Sequence, residues 1–321
     1  MDMNLEQLRG FAEIAQTGHF TRAAERLHLA QPSLSRQLQT LEAELGVELV
    51  TRARGNVSLT AAGERLLPIA RRMLADAQAA RDEMADLAGL RRGRIRLGAT
   101  PTLCTSLVAD VLAEYRARYP GIDVEILERG SRSLITALME GAIDVALIVT
   151  SVSSGAARAV LEREPILGER LVVVSDPGRP DPFARAEGGD ARAVELHELA
   201  RVPQILFPEN YELRVTLDAA FRASGHAPLV AVEGAEMDAA LSFAGRGIGV
   251  AVVPAMVAAG HPGLRAAPLA DSALARTVSI ARRSDTAPTH AGAALQGVIR
   301  DVADRVTAPG SALARTVTRV R

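Results

Sequence analysis

The chain has 321 residues, a net charge of −1, arginine at all 37 cationic positions and one cysteine. That length suits two or three domains with cores of their own, while the charge balance excludes a global basic field, so any nucleic-acid affinity must come from placement of charge. A single cysteine excludes an internal disulfide and fits a reducing cytosol; MDMNLEQLRGF is too polar for a signal peptide, and no run reaches membrane-spanning length, so the expected setting is cytoplasmic.

A first helix is predicted from Asn4. Asn4 and Gln7 resemble a capping box, Leu5, Leu8, Phe11, Ala12 and Ala15 form its buried face, and Gly18 ends it. A short second helix, Thr21 to Leu27, carries Ala23 and Ala24, small enough for another helix to cross closely. A third starts at Pro32, whose fixed φ and missing N–H suit a helix start. Along it Leu34, Leu38, Leu41 and Leu45 recur at helical spacing as a buried stripe. Arg36 falls roughly opposite, flanked by Ser33 and Thr40 on one side and by Ser35 and Gln39 on the other. Hydroxyl, amide and guanidinium groups on a first turn without acids are what reading base edges and holding phosphates require. A helix–turn–helix sets the start of its second helix in the major groove. Candidate DNA contacts are therefore Thr21, Gln31, Pro32, Ser33, Ser35, Arg36, Gln39 and Thr40. On geometry alone, an amphipathic helix pair with a solvated polar face remains open.

Val47 to Leu59 reads as a strand pair, with Val47, Leu49 and Val57 around the turn Arg54-Gly55-Asn56. From Thr60 to about Leu90 one long helix is expected. Its Leu66, Ala70, Met73, Ala77, Ala80, Met84 and Leu87 step by four and three, a heptad seam. Pro68 should bend it or fall in its first turns, and Gly89 to Gly93 form a hinge. Strands are then predicted at Ile95 to Ala99, Val124 to Leu127, Val145 to Val149, Leu171 to Ser175, Gln204 to Phe207, Val230 to Glu233, Gly249 to Val253 and Val278 to Ala281. Helices such as Thr105 to Arg118 and Arg132 to Glu140 fall between them, an alternation that argues parallel α/β sheets.

Several features carry no chemistry. The six histidines lack metal-ligand spacing, so no metal site is expected. No catalytic set, paired carboxylates or phosphate loop is recognisable, and GRGIGV from Gly245 reads as a helix stop before a strand. No cofactor is implied. Cys104 reads as a small apolar residue near a helix start, with redox sensing the sharper alternative. SALARTV occurs at 272–278 and again at 311–317. The second copy is read as part of a flexible tail, 309–321; a strand mimic pairing with a sheet edge is the alternative.

The pattern Phe20, Ala23-Ala24, Leu27, Ala30-Gln31-Pro32-Ser33-Leu34-Ser35-Arg36-Gln37, Leu41-Glu42, Leu45-Gly46, Leu49 and Arg52 resembles that of the LysR-type transcriptional regulators. It continues into Val57, Leu59-Thr60 and Ala62-Gly63-Glu64. RIRLGAT, YPGIDVEIL, LMEGAIDVALIV, ILFPENYELRVTLDAAF and GRGIGVAVVP resemble the effector region of the same family, so the likeness extends to about Val306.

The resemblance implies an α-helical winged helix–turn–helix N-terminal domain plus a long dimerising linker helix. These join an α/β two-lobed effector domain like a periplasmic binding protein. The expected division is 1–59 for DNA binding, 60–93 for linker and hinge, and 94–308 for the effector domain. Its first lobe takes about 94–168 and 269–308, its second about 169–268. In the family the wing lies along the DNA backbone, which makes Arg52 and Arg54 candidate phosphate contacts; a structural ion pair is the alternative for Arg52. Here the sequence departs from its relatives, with Val50 where many have Phe and no Arg after Gly55. A pocket between such lobes lies at strand C-termini and helix N-termini, where free N–H groups favour anions. Candidates by position are Thr100, Pro101, Thr102, Gly130, Ser131, Val149, Thr150 and Phe207, with helix capping as the competing role for each hydroxyl. The implied partners are double-stranded promoter DNA, a small-molecule effector with a carboxylate as first guess, and further copies of the chain as homodimer and homotetramer. RNA polymerase joins them if the protein activates. The rival readings are a cytosolic solute-binding protein or enzyme built on the two lobes, and an architectural DNA-binding protein.

Overall fold

A computed structural model describes residues 3–53, 56–87, 93–150, 161–184, 193–271 and 273–320. The N-terminal unit contains α1 (Leu5–Thr17), α2 (Phe20–Arg26), α3 (Gln31–Leu45), β1 (Val50–Ala53), β2 (Asn56–Leu59) and the start of α4 (Ala61–Leu87). At α1 the Asn4 side chain accepts from the Gln7 amide at 3.0 Å and the Gln7 side chain returns the bond at 2.8 Å, a reciprocal cap. Leu8, Phe11 and Ile14 of α1 pack on Ala23 and Ala24 of α2, Leu34, Leu38 and Leu41 of α3, and Ala70 of α4. The antiparallel wing pairs Val50 with Leu59 and Ala53 with Asn56. Glu42 ties it to α3 by accepting from the Leu49 and Val50 amides at 2.8 and 3.3 Å. Val47, expected among the wing's apolar residues, precedes β1 and is exposed. Gly63 permits the closest approach: a Cβ there would stand 2.1 Å from the Leu49 carbonyl oxygen.

In α4 the expected seam divides. Leu66 and Ala70 are spent on the N-terminal core, whereas Met73 and Met84 are exposed, as is Ile69 beside them. Pro68 lies inside the helix, in its second turn. The residues expected to form a hinge at 89–92 lie outside those described. Farther along, α4 meets the next unit through Arg71–Glu140 at 2.7 Å and Asp76–Arg283 at 2.9 Å.

That unit begins with β3 (Gly93–Ala99), then α5 (Pro101–Leu103), a π-helical turn (Cys104–Val108), α6 (Ala109–Arg118), β4 (Ile122–Glu128), α7 (Ser131–Met139) and β5 (Val145–Thr150). Strand β6 (Leu161–Ser175) leads to α8 (Leu196–Leu199), β7 (Pro203–Leu206), α9 (Glu212–Ala223), β8 (Leu229–Glu233), α10 (Met237–Gly245), β9 (Ala251–Pro254), α11 (Ala255–Ala259) and β10 (Arg265–Pro268). The chain returns through β11 (Ala275–Arg283) to α12 (His290–Val306) and β12 (Val317–Arg319).

Strands β4, β3 and β5 are parallel, but β11 runs antiparallel to β5 and to β6, so the sheet is mixed rather than wholly parallel. The cause is the double crossing. The first part of β6 belongs to one sheet, paired with β11, while Leu171–Ser175 pairs with β9 and β10 in another. Val172 and Val174 pack against α10, and Leu171 and Val173 against Leu199, Leu217 and Phe221, so this second sheet is covered on both faces. The sequence shows only the last third of β6, Leu171 to Ser175, because Pro165 and Gly168 break the apolar run. Pro165 sits beside an irregularity in the β6–β11 register that skips Ile166, which suits a residue without an N–H.

The tail is a correction. Val317–Arg319 pairs antiparallel with Leu167 to Glu169, on the edge of β6 opposite β11. Val317 is buried in the core of the first lobe. Arg319 bonds Asp304 at 2.6 Å and the bulged Ile166 carbonyl at 2.7 Å. The two SALARTV copies thus flank one strand, Val278 opposite Leu167 and Val317 opposite Glu169.

Candidate nucleic-acid interface and inter-lobe cleft

Between α2 and α3, His28 takes φ +54°, and the His28 and Leu29 amides bond back to Glu25 and Ala24 at 3.1 and 2.9 Å. This left-handed turn aims α3 across α2. Leu34, Leu38 and Leu41 are fully buried, so the opposite face is forced outward. Leu45 is 38% exposed: the stripe ends a turn earlier than its spacing predicts, because the chain leaves the helix at Gly46 with φ +70°. Thr21, Gln31, Pro32, Ser33, Arg36, Gln39 and Thr40 are exposed, and Ser35 is half-buried. The Thr40 hydroxyl donates to the Arg36 carbonyl at 2.9 Å, which leaves its oxygen as an acceptor. No acidic side chain occurs on α3 before Glu42, and Glu42 is engaged by the wing.

Among the described residues Arg36 has no carboxylate partner, in contrast to Arg26, which pairs with Glu13 at 3.0 Å. Arg22, exposed beside Thr21 and likewise without a carboxylate, joins the candidates. Its signal in the sequence is a lone arginine in the first turn of α2. Arg52 stands on β1 opposite Val57; Arg54 lies outside the described residues.

At the C-terminal end of β3, Thr100 and Thr102 are both buried, with hydroxyl oxygens 3.4 Å apart. Thr100 is the N-cap residue of α5, yet its side chain makes no capping bond. Pro101 between them is half-buried. At the next helix start Gly130 is the N-cap residue of α7, and the buried Ser131 hydroxyl accepts from the Val149 amide at 3.1 Å. Val149 is part of the first-lobe core, and Thr150 pairs with Thr277 at the end of β5. In the second lobe Phe207 is buried, its ring stacked on Tyr211 at 5.4 Å. Tyr211, half-buried, is therefore the ring nearer solvent.

Sequence reading missed the polar group that joins these loops. Glu169 on β6 is completely buried and accepts from the Met256 amide at 2.7 Å. Opposite it in register, Arg276 on β11 donates Nε to Glu169 at 2.6 Å and Nη1 to the Thr102 hydroxyl at 2.8 Å. One ion pair thus spans both crossing strands and reaches the short helices α5 and α11.

Burial shifts three groups near these residues, with neighbouring charges adding to it or opposing it. Burial raises the Glu212 carboxyl above its ordinary value, opposed by Arg276, Arg132 and a hydrogen bond from Ser131, although Glu212 keeps an exposed face. Tyr211 is also raised, by burial and then by Glu236, Glu128 and Asp238. Burial, assisted by Glu128, pushes the Cys104 thiol up to about 11, so it stays protonated at neutral pH. Among the described residues there is no cluster suited to a metal and no helix long and apolar enough to cross a membrane.

Residues 5–64 match the family model "Bacterial regulatory helix-turn-helix protein, lysR family", and residues 88–304 match "LysR substrate binding domain". The chain is 31% identical to the HTH-type transcriptional regulator IlvR of Caulobacter vibrioides, across 96% of this chain and all of that one. It is 32% identical to a probable hydrogen peroxide-inducible genes activator of Mycobacterium leprae, across 77% of this chain and 76% of the relative. Among solved structures, full-length OxyR from Pseudomonas aeruginosa superposes with a TM-score of 0.74 at 26% identity, covering 100% and 99% of the two chains. Full-length CbnR complexed with its target DNA gives a TM-score of 0.65 at 26% identity, covering 94% and 100%.

Proposed function

We propose how a chain that belongs to the LysR family of transcriptional regulators carries out regulation with its own residues. It is a regulator and not an enzyme, as its relatives and structural neighbours are. Helix α3 reads promoter DNA: Gln31, Ser33, Ser35, Arg36 and Gln39 address base edges and nearby phosphates, with Thr21, Pro32 and Thr40 at the margins. The observation that carries this reading is a helix whose Leu34, Leu38 and Leu41 are fully buried and whose opposite face is polar and free of acids until Glu42. Arg52 and Arg54 on the wing, and Arg22 on α2, supply sequence-blind phosphate contacts.

Two heads are needed, because one short helix gives little affinity and two half-sites multiply it. The exposed Met73 and Met84 of α4 fit a face that a second copy covers, and joined effector domains would make the dimer a tetramer. The cleft bounded by Thr100, Pro101, Thr102, Gly130, Ser131, Val149, Thr150 and Phe207 receives a small effector. A ligand that favours one arrangement of the lobes shifts the spacing of the heads and hence the bend in the promoter. The protein works in the cytoplasm, and RNA polymerase is a partner if it activates.

Binding of the purified protein to its own upstream DNA over a salt series, with footprinting, tests the assignment. Protection of a dyad-like site that weakens steeply with salt is expected. Absence of binding even at low salt would overturn it.

A further inference from the structure

Arg276 holds a buried donor that the described chain does not use. Its Nε and Nη1 are committed to Glu169 and Thr102, while Nη2 is buried without a hydrogen-bond partner. A guanidinium has five N–H groups in a fixed fork, suited to an oxyanion. Glu169 does not free this group to move, since it is itself fully buried and held by the Met256 amide. The orphan donor is therefore fixed in place before any ligand arrives. Beside it, Thr102 uses its oxygen to accept from Arg276, which leaves the hydroxyl proton for another acceptor. Thr100 lies next to it, with its side chain unused as a cap. One guanidinium edge and adjacent hydroxyls thus converge at the end of β3.

The opposite wall has the other sign. Glu212, on the first turn of α9, is drawn electrostatically to Arg276 and Arg132 and accepts from Ser131, without closing into an ion pair with Arg276. Glu128, Glu236 and Asp238 all bear on Tyr211 next to it. A second negative charge on a ligand would meet these carboxylates.

Resting on the regulator reading and its cleft, we propose that the effector is a small monocarboxylate received by Nη2 of Arg276 with the Thr102 and Thr100 hydroxyls, and that Glu212 excludes dicarboxylates. Arg276 stands on the return strand, in register with Glu169 on the outgoing one. The bound charge therefore acts where the chain crosses between lobes.

The test is thermal unfolding of the full-length protein with named probes. Monocarboxylates bearing 2-oxo, 2-hydroxy or 2-amino groups are compared with succinate, malate, sulfate and phosphate. At least one monocarboxylate should raise Tm in proportion to the logarithm of its concentration, and the dianions should not. Because Arg276→Met alone strands Glu169, the paired variant Glu169→Gln with Arg276→Met is used, and it should lose the response. Glu212→Gln, outside that pair, should gain a response to succinate. A wild-type response to the dianions equal to that for monocarboxylates would overturn the proposal. So would a monocarboxylate response that survives in the paired variant, an unchanged succinate response in Glu212→Gln, or silence from every probe. Binding to upstream DNA, measured on the same preparation, separates the two readings. Intact DNA binding without a monocarboxylate response overturns only this inference, whereas loss of DNA binding overturns the regulator reading.

Discussion

In the N-terminal domain Leu34, Leu38 and Leu41 reach complete burial against other apolar side chains, and Gln31, Ser33, Arg36, Gln39 and Thr40 of α3 are left exposed. At the hinge between lobes, complete burial falls to Glu169, a charge, with Arg276 beside it. The first arrangement is tolerant: its stability is spread over many apolar contacts, and the face proposed to read DNA is one that packing does not use. The second concentrates structure in one pair, and the groups that hold the crossing strands together are also those proposed to border the effector site.

The hinge should therefore break hardest under a single change. Glu169→Ala leaves Arg276 buried and uncompensated, and should cost about 3–5 kcal/mol in urea unfolding of the effector domain. Replacing both partners by apolar residues should recover much of that loss; equal loss in both variants would mean that the pair is not coupled. In the N-terminal core, Leu38→Ala should cost about 3 kcal/mol, with a cavity but no stranded charge. Deleting the chain after Ala308 removes the buried Val317 and the strand pairing to β6, and should cost about 2 kcal/mol. Unchanged stability after that truncation would show that the tail strand contributes nothing to the hinge. The smallest effect is expected at Cys104. With its thiol raised to about 11, alkylation at pH 8 should be slow and peroxide should leave effector response unchanged. Fast modification would place a thiolate there.

The two regions also differ in how much of them the sequence discloses. The helices of the N-terminal domain are legible because burial follows a local period, the Asn4–Gln7 cap spans three residues, and the turn glycines punctuate the pattern. Most effector-domain strands are legible for the same reason. Thr100, Thr102 and Ser131 are candidates by position, because each follows the end of a predicted strand. Arg276 is not, although the SALARTV repeat draws attention to its segment. Its partners Glu169 and Thr102 lie 107 and 174 residues away, and no local pattern encodes a pairing at such separation. The first two thirds of β6 are hidden by Pro165 and Gly168, which look like loop residues until the register irregularity on β11 explains them. The tail reads as flexible in the sequence because three paired residues after a Pro-Gly turn carry little periodic signal. What commits them is the free edge of β6, a tertiary feature.

The most direct test of the account is DNA binding by Arg36→Ala across a salt series beside the parent protein. Arg36 is exposed on α3 and outside the core, so its removal should leave unfolding unchanged while affinity for the upstream site falls by about 1–3 kcal/mol. Full affinity with an unaltered salt slope would contradict the assignment of α3 as the reading helix.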